Sequence, residues 1–333
     1  MKRKFWKVYN LMKKILVTGC AGFIGFNLCK YLLEENFKIL GVDNLNSYYN
    51  KNLKKKRVEI LKNSNNFNFL KLDISKKSFE KKVIKKNFEY IIHLAAQAGV
   101  RQSIKTPRKY LESNIVGFFN ILEVSRKKKI KHLIYASSSS VYGNQKKKIF
   151  SENLNTDKPL QFYAATKKSN EVMGYSYSIN YKIPMTCCRF FTVYGPHGRP
   201  DMATFKFTNA IVNNRKIFIY NNGYHKRDFT YIDDVTSCIY KLINKIPKKN
   251  YHRIVNLGKG KGTDIMQFLK LIENKLNKST DIVFLNKQPG DMIETLSSTR
   301  NLKKIIKFTP KISTQKGVKL FVDWYKSFYN YEK

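Results

Sequence analysis

Residues 14–28 read KILVTGCAGFIGFNL. An apolar run ends in a turn carrying Gly19, Gly22 and Gly25, and a helical pattern begins inside the turn. Glycines at this spacing between a strand and a helix let the backbone turn tightly and approach a pyrophosphate, which then rests on the free N–H groups of the helix start. Three glycines alone make an ordinary βα turn, so the context decides. The next apolar run, KILGVD, ends in Asp43, eighteen residues beyond Gly25. A carboxylate there accepts hydrogen bonds from a ribose diol and repels a 2′-phosphate, which points to NAD rather than NADP.

Working outward, the same alternation continues. After a helix from Phe23 to Glu35, the strands KILGVD, FNFLKLD, YIIHLAA, HLIYASS and IPMTCCRFF alternate with helical patterns at 51–62, 76–86, 108–128 and 162–180. Continuous apolar strands separated by helices predict a doubly wound parallel α/β sheet covered on both faces. At 194–202 the texture changes to YGPHGRPDM, followed by shorter mixed elements and a helical pattern in QKGVKLFVDWYKSFY. This predicts a smaller C-terminal α+β lobe, with residues 12–191 as the Rossmann domain and 192–333 mainly as a substrate lobe.

The 333 residues are 42% hydrophobic, enough for an ordinary core. No run of eighteen apolar residues occurs, and MKRKFWKVYNLMKK lacks the apolar segment and cleavage site of a signal peptide. A cytoplasmic protein without a membrane partner is expected. Five cysteines without CxxC spacing read as buried free thiols, and the five histidines show no metal-ligand spacing. Lys and Arg together exceed Asp and Glu by 41, a balance that raises nucleic acid as a partner. The lysines are spread along the chain without one dense tail, so a general compositional drift explains them as well as a binding face does.

QFYAATKKSNE holds Tyr163 and Lys167 at helical i,i+4 spacing, on one face. A nearby cation favours the phenolate, so such a tyrosine can serve as a general base. The pair follows the strand HLIYASSSS, on the helix that would run beside a nicotinamide at the sheet's C-terminal edge. Asp73 either caps the turn after the third strand or touches adenine. Leu94, Ala95 and Ala96 are small enough to admit a cofactor, though close packing asks for the same residues. Asn114 fits either a cofactor contact or a packing hydrogen bond.

TGCAGFIG, HLAAQAGVR, ASSSSVYG, YAATKK, RFFTVYGPHGRPDM, RDFTYIDD and QPGD, in this order, resemble the extended short-chain dehydrogenase/reductase family, and within it the UDP-glucuronate 4-epimerases. The likeness runs from Met12 to about Tyr329, which makes residues 1–11 an expected extension. It implies a transient oxidation at the sugar C4, with Tyr163 as base, Lys167 holding the nicotinamide ribose and lowering the phenol pKa, and Ser138 relaying the O4 proton. It also places Phe23, Ile24, Asn44, Ile74, Ser137 and Phe191 on the cofactor side. The 4-keto form of a uronic acid is a β-keto acid that loses CO₂ readily. Arg199 is therefore implied as a carboxylate clamp, with Ser139, Ser140 and Thr192 as hydroxyl donors. Arg227 and Lys206 are implied for the UDP phosphates and Asp291 for the uridine ribose. Asp228, Asp233 and Asp234 read as turn and N-cap residues.

Rival readings are a UDP-glucuronate decarboxylase, a neutral UDP-sugar 4-epimerase and a basic nucleic-acid-associated protein on an NAD-binding scaffold. A dehydratase is disfavoured because Ser139-Ser140 stand where that enzyme carries Asp-Glu. The resemblance also implies a homodimer, through the helices at 108–128 and 162–180.

Overall fold

The chain is described by a computed structural model covering residues 12–145, 147–286 and 292–331. Its apolar runs form β1 (Lys14–Thr18), β2 (Lys38–Asp43), β3 (Phe67–Lys71), β4 (Tyr90–His93), β5 (His132–Ser138), a short β6 (Ile149–Phe150) and β7 (Met185–Phe190). Between them run α1 (Phe23–Glu34), α2 (Lys51–Lys62), α3 (Lys77–Val83), α4 (Val100–Lys105), α5 (Pro107–Tyr110), α6 (Gly117–Lys128) and α7 (Phe162–Tyr181). Beyond them lie β8 (Thr192–Tyr194), α8 (Ala203–Val212), β9 (Ile217–Tyr220), β10 (Lys226–Arg227), β11 (Phe229–Tyr231), α9 (Ile232–Ile243) and β12 (His252–Leu257). The chain continues with β13 (Thr263–Asp264), α10 (Ile265–Leu276), β14 (Ile282–Leu285), β15 (Glu294–Ser297), α11 (Arg300–Ile306) and α12 (Thr314–Phe328).

A seven-stranded parallel sheet has the order β12-β7-β5-β4-β1-β2-β3. Successive side chains of a strand point to opposite faces. Accordingly Ile15 and Val17 of β1 enter one core cluster and Leu16 the other, and all three are at most 1% exposed. Both faces are dry, as the continuous apolar runs require. Because the order reverses at β1, a crevice opens between the C-terminal ends of β1 and β4.

Two features depart from the expected sequence of elements. The segment 108–128 is not one helix: a π-helical turn, Leu111–Val116, separates α5 from α6. It lies where buried Asn114 is tied by hydrogen bonds to Gln97 and Thr166. The second feature is exchange between lobes, since β12 returns to the edge of the large sheet beside β7. Conversely β6, from the loop before α7, pairs with β15 in a four-stranded sheet ordered β13-β10-β15-β6.

Glycine is required at the centre of the turn that opens α1. A Cβ on Gly25 would lie 2.0 Å from the Gly19 carbonyl oxygen, a backbone atom that cannot yield cheaply. Gly19 itself has φ +75 and packs so closely on the end of β4 that a Cβ would meet Ala95 N at 2.7 Å. Gly25→Ala is expected to cost about 1–3 kcal/mol of overpacking and to weaken dinucleotide binding. Thermal melting with and without NAD⁺ measures both, and an unshifted melt would contradict the close approach.

Candidate active site

The crevice is a cavity whose floor is the turn Gly19–Gly25 and whose walls include Asp43, Leu94, Ala95, Ser137, Ser138, Tyr163, Lys167 and Arg199. Helix α1 begins at Gly22 with no side-chain cap and no acidic residue in its first turn. Its free N–H groups and positive dipole end are therefore left for an anion. At the tip of β2, Asp43 accepts from Leu45 N at 2.8 Å and from Ala21 N at 3.2 Å, one to each carboxylate oxygen. Burial raises its pKa, while these N–H groups and the Lys54 and Arg57 charges act in the opposite direction. Lone pairs remain on both oxygens for a diol.

On the opposite wall, α7 carries Tyr163 and Lys167 one turn apart. Lys167 is 2% exposed and donates to the Ala136 carbonyl at 2.9 Å. Burial brings its pKa down to about 8. Burial also raises the Tyr163 phenol, and the charge that pulls it back is that of Arg199, helped by a hydrogen bond with Ser138. The expected influence of Lys167 on this phenol is thus taken by a different cation, because the ammonium is anchored on the end of β5. Ser138 closes the arrangement. It accepts from both Ser140 N (3.2 Å) and Ser140 Oγ (2.9 Å), which leaves its own hydrogen for the Tyr163 oxygen. Phenol, hydroxyl, buried ammonium and guanidinium line one cavity with the glycine turn.

Comparison with known proteins agrees with this geometry. The profile of the "NAD dependent epimerase/dehydratase family" matches residues 15–258. The chain belongs to that family. It is 47% identical to Protein CapI of Staphylococcus aureus, over 95% of this chain and 99% of the relative. It is 40% identical to the UDP-glucuronate 4-epimerase of Thermodesulfobacterium geofontis, over 93% and 95%. The solved UDP-glucuronic acid 4-epimerase of Bacillus cereus, in complex with UDP-glucuronic acid and NAD, superposes with a TM-score of 0.88 at 32% identity, covering 95% of this chain and all of that one.

The epimerase/dehydratase site gathers most of the residues singled out in the sequence. Gly19, Gly22, Phe23, Ile24, Gly25, Asp43, Asn44, Ile74, Leu94, Ala95, Ala96, Ser137 and Phe191 line the cavity with Ser138, Tyr163, Lys167 and Arg199. The uncapped helix start, the carboxylate of Asp43 and the glycine floor fit a dinucleotide. Others stand outside the lining. Asp73 accepts from Ser75 N, Ser75 Oγ and Asn44 Nδ2, so it caps a turn and braces Asn44. Asn114 spends its amide on Gln97 and Thr166, with Ser113 facing the cavity instead. The Ser137 hydroxyl is committed to Glu171 at 2.6 Å. Ser139, Ser140 and Thr192 are not among the lining residues, and Lys206 is exposed on α8. Arg227 donates to the Met292 and Ile293 carbonyls, next to Asp291, which lies outside the described residues. Asp228 accepts from Ser297, Thr230, Lys259 and Gly260, and Asp234 from Lys311 and Ile312, both as structural acceptors.

Four lining residues escaped notice in the sequence: Asn46, Tyr48 and Tyr49 between β2 and α2, and Lys54 in the first turn of α2. The two adjacent tyrosines of NLNSYYN, directly after Asp43, are the one local signal that could have marked this stretch.

Burial of Tyr163 has a measurable consequence in the cofactor-free enzyme. An ordinary phenol ionises near pH ~10. The ultraviolet phenolate difference between wild type and Tyr163→Phe is expected to titrate above that range, so the group is a protonated phenol at neutral pH. Arg199→Gln is expected to move it higher still. A midpoint at or below the ordinary range would contradict the dominance of burial.

Proposed function

We propose that the chain catalyses NAD-dependent 4-epimerisation of UDP-glucuronate to UDP-galacturonate. The observation that carries this reading is that Arg199 lines the same cavity as Tyr163 and Ser138, with its charge reaching the phenol, so a cation is available to a sugar C5 carboxylate once O4 meets the base. The identity to UDP-glucuronate 4-epimerases supports it. NAD⁺, when bound, supplies the hydride acceptor and donor at C4 and a positive ring charge near the phenol.

Tyr163, in its deprotonated form, takes the O4 proton as the hydride leaves C4, and returns it after the 4-keto sugar has presented its other face. Ser138 donates to O4 in the meantime, since Ser140 occupies its acceptor side. Lys167 lies within the cofactor wall, where it would meet the nicotinamide ribose. Arg199 holds the carboxylate out of line with the keto π system, with Ser139, Ser140 and Thr192 as nearby hydroxyls, and this restrains loss of CO₂. Arg227 and Asp291 would meet the UDP moiety. On this reading residues 12–191 mainly hold the cofactor and residues 192–333 mainly the UDP-sugar.

The reading extends to assembly and compartment. Among the described residues, Leu111, Val116 and Phe119 are each more than 40% exposed, and so are Val172, Tyr175 and Ile179 of α7. An apolar face on these neighbouring helices fits a homodimer. No described helix is long and apolar enough to cross a membrane, and all five cysteines are buried free thiols, which suits a cytoplasmic enzyme.

Incubation with UDP-glucuronate is expected to yield UDP-galacturonate, and Tyr163→Phe to lower kcat by about 10²–10⁴-fold, the range of a lost general base. UDP-xylose with released CO₂ would make the enzyme a decarboxylase instead. Faster conversion of UDP-glucose would make it a neutral-sugar epimerase.

A further inference from the structure

Arg199 lies in the loop between β8 and α8, and a long side chain on a loop needs partners to hold one direction. Those partners are present. Arg199 grips Asp201 through a fork, Nε to Oδ1 at 2.9 Å and Nη2 to Oδ2. The Tyr48 hydroxyl donates to the same Oδ2 at 3.1 Å, and its ring lies 5.6 Å from the guanidinium carbon. Tyr48 is fixed in turn. Its oxygen sits so close over Gly99, at φ +101, that a Cβ there would approach it to 2.2 Å. Tyr48 thus reaches the Arg199–Asp201 pair from a segment far away in sequence, and itself packs on Gly99.

The geometry of the fork matters. A guanidinium has five N–H donors, and Asp201 takes the Nε hydrogen and one from Nη2. The Nη1 pair and the second Nη2 hydrogen remain, an edge shaped for one more carboxylate. We propose that Asp201, braced by Tyr48, is the positioning residue that aims this edge of Arg199 at the uronate carboxylate and so sets the preference for a UDP-uronate over a neutral UDP-sugar. The inference rests on the carboxylate-clamp role given to Arg199 above.

Charge and position make opposite demands here, which gives the test its sign. If Asp201 only occupied Arg199, its removal would free a cation and tighten binding of an anionic sugar. If it aims Arg199, removal weakens that binding although the site becomes more positive.

In the NAD-loaded enzyme, Asp201→Asn is expected to raise KM for UDP-glucuronate by about tenfold, the scale of one charge-assisted hydrogen bond. Binding of UDP-glucose, measured by competition, should stay unchanged, and CO₂ released per epimerisation should rise. Tyr48→Phe, which removes one hydroxyl and leaves the ring, should move the same readouts in the same direction by less. Tighter or unchanged UDP-glucuronate binding in both variants, with CO₂ release unaltered, would overturn the proposal. Arg199→Ala separates the two levels. If that variant keeps the preference for UDP-glucuronate, the clamp and its positioning fall together. If it loses the preference while Asp201→Asn and Tyr48→Phe keep it, only the positioning role falls.

Discussion

Behind the reacting groups, Arg189 and Glu171 form an ion pair in which both side chains are at most 3% exposed. The fork is complete, with Arg189 Nε on Oε1 at 2.8 Å and Nη2 on Oε2 at 2.7 Å, and Ser137 adds a third donor to Oε1. Glu171 lies one turn beyond Lys167 on α7, so the pair fixes the rotation of the helix that carries Tyr163. It also reaches the sheet edge: Arg189 packs over the Tyr142 ring at 4.8 Å, and Tyr142 donates to Asn256 of β12 at 2.6 Å. A buried pair of this kind adds little net stability against an apolar replacement, yet removing one partner costs about 3–5 kcal/mol. Its consequence is registration. The end of β5, helix α7 and strand β7 are held in one register by this pair.

That registration places three groups of opposed electrostatic need in one space. Burial disfavours the Tyr163 phenolate and the Lys167 ammonium alike. Arg199 resolves part of the conflict, since Asp201 keeps it charged against the cost of burial and its field reaches the phenol. In the reading proposed here the same cation faces the substrate carboxylate. A uronate entering the site would then partly neutralise the charge that favours phenolate, so the positive ring of the cofactor has to supply what the carboxylate removes. Base strength and substrate charge are coupled through one guanidinium.

The architecture was legible wherever the information is local. Apolar runs of strand length, the glycines of the first turn and the acid after β2 depend on neighbours in the chain, and each landed where the pattern put it. The obscured parts depend on partners far away. The π turn at Leu111–Val116 has the composition of an ordinary helix, and its cause is a hydrogen-bond set with Gln97 and Thr166. The pairing of β12 with β7, and of the two-residue β6 with β15, follows from which edges are left open once the lobes meet. Among site residues, the Tyr-x-x-x-Lys spacing located the helix face but not the partner of the ammonium, because Ala136 contributes only a carbonyl that every residue possesses. Tyr48 was hidden for a related reason, as its significance lies in reaching Asp201 across 153 positions of sequence.

Arg57 ties the turn after β1 to the loop after β8. It is fully buried on α2, and its guanidinium donates to the Ala21 carbonyl in the phosphate turn at 2.8 Å and to the His197 carbonyl at 2.6 Å. One end of this bridge touches the floor of the dinucleotide crevice, and the other holds the loop that carries Arg199 and Asp201. A buried guanidinium released from either carbonyl would be left with unmet donors, so the two loops are held to move together or not at all. The turn that opens the dinucleotide crevice, legible from fifteen residues at the start of the sheet, is thus tied through one buried side chain to the loop that carries Arg199 and Asp201.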